Sequence, residues 1–318
     1  MAAVSSWRRA FAVVAVVLVL RGGARAATFT ISNNCGYTVW PGLLSSAGSA
    51  ALPTTGFALA PGESRAVAAP AGWSGRLWGR TLCATGAGAF ACATGDCGSG
   101  DVQCGGGGAA PPATLAEFTL DGSGGLDFFD VSLVDGYNLP MVITPSSSSA
   151  AAAGATGGKC AATGCAAELN AACPAELRAE GGTACRSACE AFGAAQYCCS
   201  GDYGSPAACR PSAYSEFFKS ACPRAYSYAY DDATSTFTCA AGATDYAVTF
   251  CPAAASPSVK STGPNQNNPQ AAGVPRISNT TMVYFGGDSA AAAAASLAGA
   301  NFLTAVAATA VALAALLH

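Results

Sequence analysis

Histidine is nearly missing from this chain of 318 residues: the single one, His318, is the last residue. Its scarcity excludes Ser-His-Asp and Cys-His catalysis, His-ligated zinc and histidine pH switching. Charge is scarce too. Charged residues make up 10% of the chain, against about 25% in an ordinary globular domain. Fifteen Lys and Arg stand against 18 Asp and Glu, a net of −3. A nucleic-acid partner needs a basic footprint, which this balance does not provide. Between Arg80 and Lys159 there is no basic residue, yet seven acids fall there: Asp96, Asp101, Glu117, Asp121, Asp127, Asp130 and Asp135. Such an interval reads either as a solvated face or as an anionic groove that attracts cations or hydrogen-bonds sugar hydroxyls. What remains is carboxylate chemistry, disulfides and surface recognition, with no cofactor and no metal called for.

The ends of the chain read as addresses. Arg8 and Arg9 precede the eleven-residue apolar run Ala10–Leu20, and Ala24-Arg25-Ala26 offers small residues for cleavage, so Met1–Ala26 is expected to be a secretory signal. Ser289–Leu317 carries no charge, and no Lys or Arg follows it. Small residues at Asp288-Ser289-Ala290, a spacer and a greasy tail fit a glycolipid-anchor signal with Ser289 as attachment residue; the alternative is a spanning helix. The segment before it, Ala253–Asp288, is rich in Pro, Ser, Asn and Gln and reads as a flexible stalk. It holds the glycosylation sequon Asn279-Thr280-Thr281. The secreted, surface-tethered part is thus Ala27–Pro252, with nine Lys and Arg against seventeen Asp and Glu, a net of −8.

All 16 cysteines lie between Cys35 and Cys251. An even count behind a signal peptide implies a disulfide framework. Zinc is disfavoured, with no C-x-x-C pair and no histidine within reach. Cys198 and Cys199 are neighbours, too close for a relaxed mutual bridge, and should take different partners. Spacing alone chooses no further pairing.

From Thr28 to about Pro145, short alternating segments are broken by Gly-rich turns: Thr28–Ser32, Tyr37–Trp40, Leu115–Leu120, Leu126–Val134 and Asn138–Ile143. That spacing predicts a β-sandwich. From Lys159 to Tyr246 the cysteines become dense and short helical pieces appear; Tyr214, Phe217, Phe218 and Ala221 share one helical face and are expected to pack inward. Ser146–Gly158 reads as a loop between the halves.

At this point the residues resemble a known family. Gly88–Cys104, GAFACATGDCGSGDVQC, looks like the signature of thaumatin-like proteins. The likeness continues through Ala27–Trp40, Leu126–Met141, Cys173–Arg178, Gln196–Gly201, Ala225–Cys239 and Asp245–Pro252. The resemblance implies a mainly β fold: a sandwich with a disulfide-rich second lobe, a cleft between them, and eight bridges. These are Cys35–Cys251, Cys83–Cys92, Cys97–Cys104, Cys160–Cys239, Cys165–Cys222, Cys173–Cys185, Cys189–Cys198 and Cys199–Cys209. It also implies plant defence, antifungal activity, and binding or weak hydrolysis of β-1,3-glucan. The family's cleft carries one Arg and four acids. They map onto Arg76 in GRLWGR (or Arg80), Glu117 in TLAEF, Asp130 in LDFFD and Asp135 in LVDG. The fourth acid follows Cys-Pro in the family, and here that position is Arg224. An Arg224 pointing into the cleft is expected to pair with Asp130 or Asp135 and lower their pKa, against hydrolysis; the alternative is that it swings out to solvent.

Three functions follow from these residues. The first is a tethered binder of β-1,3-glucan, another wall polysaccharide or a microbial surface, with Trp78, Phe129, Tyr137, Tyr203 and Tyr228 as candidate stacking aromatics. The second is a weak endo-β-1,3-glucanase with Glu117 as acid and Asp135 as its partner. The third is an inhibitor of a pathogen hydrolase acting through the Ser146–Gly158 loop. Glu117 and Asp130 have a plainer reading as structural carboxylates bonded to backbone or to Arg76. A disulfide-stapled monomer is expected.

Overall fold

The protein is seen in a computed structural model that describes residues 27–86, 88–147 and 160–253. The leader Met1–Ala26, most of the Ser146–Gly158 loop, nearly all of the stalk with Asn279, and the tail from Ser289 lie outside the described residues.

Strict alternation in the first segment builds β1 (Ala27–Asn33), with Phe29 and Ile31 buried and Thr30 turned outward. The last segment does the same in β11 (Thr244–Phe250), where Tyr246, Val248 and Phe250 point inward. The two run parallel, Phe29 beside Tyr246 and Ile31 beside Val248, at the centre of a five-stranded sheet. Its other members are β3 (Ser64–Ala69), β8 (Met141–Ser147) and β9 (Thr163–Cys165), in the order β3-β1-β11-β8-β9. The ends of the domain are therefore neighbours, and Cys35–Cys251 ties them across 216 residues. Loop-closure entropy makes so long a bridge worth up to about 5 kcal/mol.

The second sheet runs β10-β7-β6-β4-β2: β10 (Phe237–Ala240), β7 (Leu126–Ser132), β6 (Leu115–Gly122), β4 (Ser74–Gly86) and β2 (Trp40–Ser45). β5 (Ala89–Thr94) pairs with the far end of β4, carrying Cys83 opposite Cys92. Between the sheets lies an aromatic core in which Phe29 meets Phe118 at 4.6 Å, and Tyr246 meets Phe118 at 5.2 Å and Phe129 at 5.1 Å. The β-sandwich read from the spacing is present. Its strand bounds differ: of Tyr37–Trp40 only Val39 is bridged before Trp40, β7 stops at Ser132, and β8 starts at Met141. Between them, Leu133 and Tyr137 pair their backbones with Tyr226 and Cys185 of the second lobe instead.

That lobe is made of turns and short helices held by disulfides, among them α1 (Ala188–Phe192), α2 (Ala195–Cys198), α3 (Ala213–Ala221) and α4 (Asp232–Ser235). A capping box between Ser212 and Ser215 starts α3, and Tyr214 and Phe218 are buried as expected. Ala221, at the helix end, is exposed rather than packed. All 16 cysteines are paired, in the eight pairs that the resemblance implies, and Cys198 and Cys199 bond to Cys189 and Cys209.

Candidate functional site

The six-stranded sheet turns Leu77, Phe118 and Phe129 into the core. The pleat sends the preceding residue of β4 and β6 and the following residue of β7 to the other face. Those residues are Arg76, Glu117 and Asp130, and they form one row: Arg76 is registered opposite Glu117, and Glu117 opposite Asp130. Directly opposed residues in an antiparallel pair have Cβ atoms about 4.5–5.5 Å apart. Asp135 follows from the turn after β7, whose backbone is held by Ala113 N–H donating to the Asp135 carbonyl at 3.0 Å.

The second lobe adds groups to this row. Tyr226 bridges Ser132, its N–H donating to the Val131 carbonyl at 2.9 Å, and its hydroxyl donates to Asp232 Oδ1 at 2.8 Å. Asp232 is close enough to raise Asp130. The charge of Asp135 in turn raises Glu190 of α1, after burial and against Arg186. Sequence reasoning missed both, because nothing local marks an acid in a short helix as facing a sheet more than 50 residues away.

Among the described residues, no hydrogen bond is made by the side chains of Arg76, Glu117, Asp130 or Asp135, and Asp130 Oδ2 is wholly covered without a partner. Neither Glu117 nor Asp130 is bonded to backbone among the described residues, and Arg76 acts on Glu117 through its charge. Burial pushes Glu117 up; the Arg76 guanidinium works against this and the Asp135 charge adds to it. Asp130 lies well above the usual carboxylate range, through burial first and then through Glu117 and Asp232. Asp135 is also raised by burial, with Arg76 opposing. Carboxyls raised in this way keep their protons to higher pH than free ones, and a protonated carboxyl donates as well as accepts hydrogen bonds. No three of His, Cys, Asp or Glu among the described residues are grouped so as to hold a metal ion.

Four expectations are corrected. Arg80 is fully buried, donating to the carbonyls of Trp40 (3.0 Å) and Val102 (2.5 Å), so it braces a loop and only Arg76 stands in the row. Arg224 neither pairs with Asp130 or Asp135 nor swings out: its guanidinium lies 4.4 Å from the Phe237 ring centre, half-buried, and both acids are raised rather than lowered. Trp78, Phe129 and Tyr137 are fully buried and cannot stack on a sugar, whereas Tyr203 and Tyr228 are half-exposed. The acidic interval is not one groove: Asp96, Asp101, Asp121 and Asp127 accept backbone N–H groups, which satisfies loops and strand ends.

Residues 33–252 match the Thaumatin family. Thaumatin-like protein 1 of Arabidopsis thaliana is 58% identical over 238 residues, covering 72% of this chain and 88% of the relative. A glucan endo-1,3-beta-glucosidase of Prunus avium is 53% identical over 236 residues, 73% of this chain and 93% of the relative. The PR5-like receptor kinase of Arabidopsis thaliana is 50% identical over 237 residues, 72% of this chain but 35% of the kinase. With a two-sheet sandwich, eight bridges and a family match across the described domain, this chain belongs to the thaumatin family.

Proposed function

We propose that the chain is a cell-surface defence protein whose cleft binds β-1,3-glucan or a related wall polysaccharide. One observation carries the reading: a guanidinium and two carboxyls side by side on the sheet, with a third carboxyl on the turn after β7, make no hydrogen bonds with the protein among the described residues. Polar groups brought out of water without partners are costly, and a polyhydroxylated ligand supplies the missing donors and acceptors. The raised carboxyls, and the 53% identical relative named as a glucan endo-1,3-beta-glucosidase, favour a second reading, weak hydrolysis with Glu117 as acid and Asp135 as its partner. Hydrolysis needs one carboxyl protonated and another charged, and the mutual repulsion of Glu117 with Asp135 is of the kind that separates two pKa values.

Binding and new reducing ends are to be followed together on a soluble β-1,3-glucan, for the wild type and Glu117→Gln. Binding without cleavage is expected for the wild type. Reducing ends that vanish in Glu117→Gln would replace this reading with the glucanase, and absence of wild-type binding would end both.

The tether is part of the same proposal: a glycolipid at Ser289 would hold the domain outside the plasma membrane on the Ala253–Asp288 stalk, with a sugar at Asn279. Release from intact cells by phosphatidylinositol-specific phospholipase C is expected. Retention would favour a spanning helix.

A further inference from the structure

Glu117 and Asp130 are directly opposed across β6 and β7, on the face of the sheet turned away from the core. Cβ atoms so placed lie about 4.5–5.5 Å apart, and like charges directly opposite each other repel. The surroundings of the two are unequal. Arg76 stands opposite Glu117 on its other side, one strand further from Asp130. Asp130 has the second lobe as its other neighbour. Tyr226 runs beside the end of β7, its N–H donating to the Val131 carbonyl and its carbonyl accepting the Leu133 N–H, both at 2.9 Å. The Tyr226 hydroxyl donates to Asp232 Oδ1 at 2.8 Å and also meets Thr236, so it does not answer Asp130. Asp130 Oδ2 is wholly covered and without a partner. The charged and titratable groups about the pair are thus Arg76 on β4, Asp135 on the turn after β7, and Tyr226 and Asp232 from the second lobe. One of them, Arg76, is a cation, and it is placed beside Glu117. Arg224 is occupied with Phe237.

Resting on the glucan-binding reading above, we propose that Asp130 is a positioning residue: of the Glu117–Asp130 pair, Asp130 keeps the proton, and Glu117 carries the charge that accepts from sugar hydroxyls. The order of the row decides this. A carboxylate between a guanidinium and a neutral carboxyl is balanced, whereas one between two acids, with an oxygen covered and no donor to it, is not. Burial raises both groups; Arg76 then works against the rise at Glu117, while Glu117 and Asp232 add to it at Asp130. A ligand lying over the row removes more water from around Asp130 and favours its neutral form further, which links binding to protonation. The bound state therefore holds the proton more tightly than the free one. Affinity is full while Asp130 is protonated in the free protein, and it falls as pH rises from there to the bound-state value. A rise of one pKa unit on binding makes that fall about tenfold.

The test uses the full chain and the isosteric Asp130→Asn. Carboxyl carbon NMR is titrated first, without ligand. The aspartate signal that vanishes in Asp130→Asn should titrate above the ordinary carboxyl range and above Glu117, whose signal is found in the same way with Glu117→Gln. Asp130 titrating at or below Glu117 overturns the proposal, whatever the ligand does. Affinity for a soluble β-1,3-glucan is then measured at pH 5 and at pH 8. Wild-type binding is expected to be about tenfold weaker at pH 8. Asp130→Asn, neutral at every pH, should bind equally at both, as tightly as the wild type at pH 5. Weaker binding by the variant at both pH values would make Asp130 a direct ligand contact. A pH slope that is absent from the wild type, or unchanged in the variant, would separate binding from this proton. Each of these results overturns the proposal and leaves the glucan-binding reading standing. No wild-type binding at either pH sinks the glucan-binding reading, and the positioning role with it, whatever the titration shows.

Discussion

Asp127 and Asp130 lie three residues apart on β7 and have opposite surroundings. Asp127 points between the sheets, is 1% exposed, and accepts the Tyr246 hydroxyl at 2.7 Å and the Asp121 N–H at 2.9 Å. Asp130 points the other way, in register with Glu117, and its covered Oδ2 accepts nothing. Burial raises both, but two hydrogen bonds offset the rise at Asp127, whereas at Asp130 the neighbouring Glu117 and Asp232 add to it. Two aspartates on one strand thus do different work. One is built into the core, tying β7 to the last strand of the other sheet. The other is held without a partner, at a cost to stability.

This contrast can be broken by experiment. The largest effect is expected from Asp127→Ala, which strands the Tyr246 hydroxyl inside the sandwich and leaves the Asp121 N–H unanswered. A loss of about 2–3 kcal/mol in urea unfolding is expected; a loss below about 0.5 kcal/mol would show that the core bonds contribute little. A smaller effect should follow pH. The folded-state pKa values of Glu117, Asp130, Asp135 and Glu190 are all raised. The native state therefore binds protons more tightly than the unfolded chain, and the stability so gained is full below the ordinary carboxyl range. It is lost as pH rises through the raised values, which reach about 7 at Glu190. The melting temperature should fall between pH 4.5 and 8, and a flat or rising profile would contradict the shifts. The smallest effect, and the one of opposite sign, is expected from Asp130→Asn. At pH 8 it should stabilise by about 0.5–1 kcal/mol, by removing a covered charge, with the gain vanishing at pH 4.5. Destabilisation at both pH values would place Asp130 with Asp127 as a structural residue.

Much of the fold was legible beforehand. Phe29 and Ile31 alternate with threonines, and such alternation is local, so β1 could be read without knowing its neighbours. Leu115–Leu120 and Leu126–Val134 were legible for the same reason, and Glu117 and Asp130 fall on the polar side of their own alternation. The limits showed where position depends on distant chain. Trp78, Phe129 and Tyr137 looked available to a sugar because an aromatic in a strand carries no mark of which face it takes. Arg76 and Arg80 share a strand and a motif, and only the loop ending at Cys104, folded back over β2, makes one structural and leaves the other free.

The chain's own residues settled the alternating strands, the disulfide-dense lobe and the positions of the acids, since side-chain polarity, period and cysteine number are properties of short segments. Tertiary structure decided which acids are answered. Asp127 finds its hydroxyl 119 residues away in Tyr246, and Arg224 is drawn onto Phe237. Partnership across such distances is a relation between segments that meet only after folding, and no local pattern encodes it.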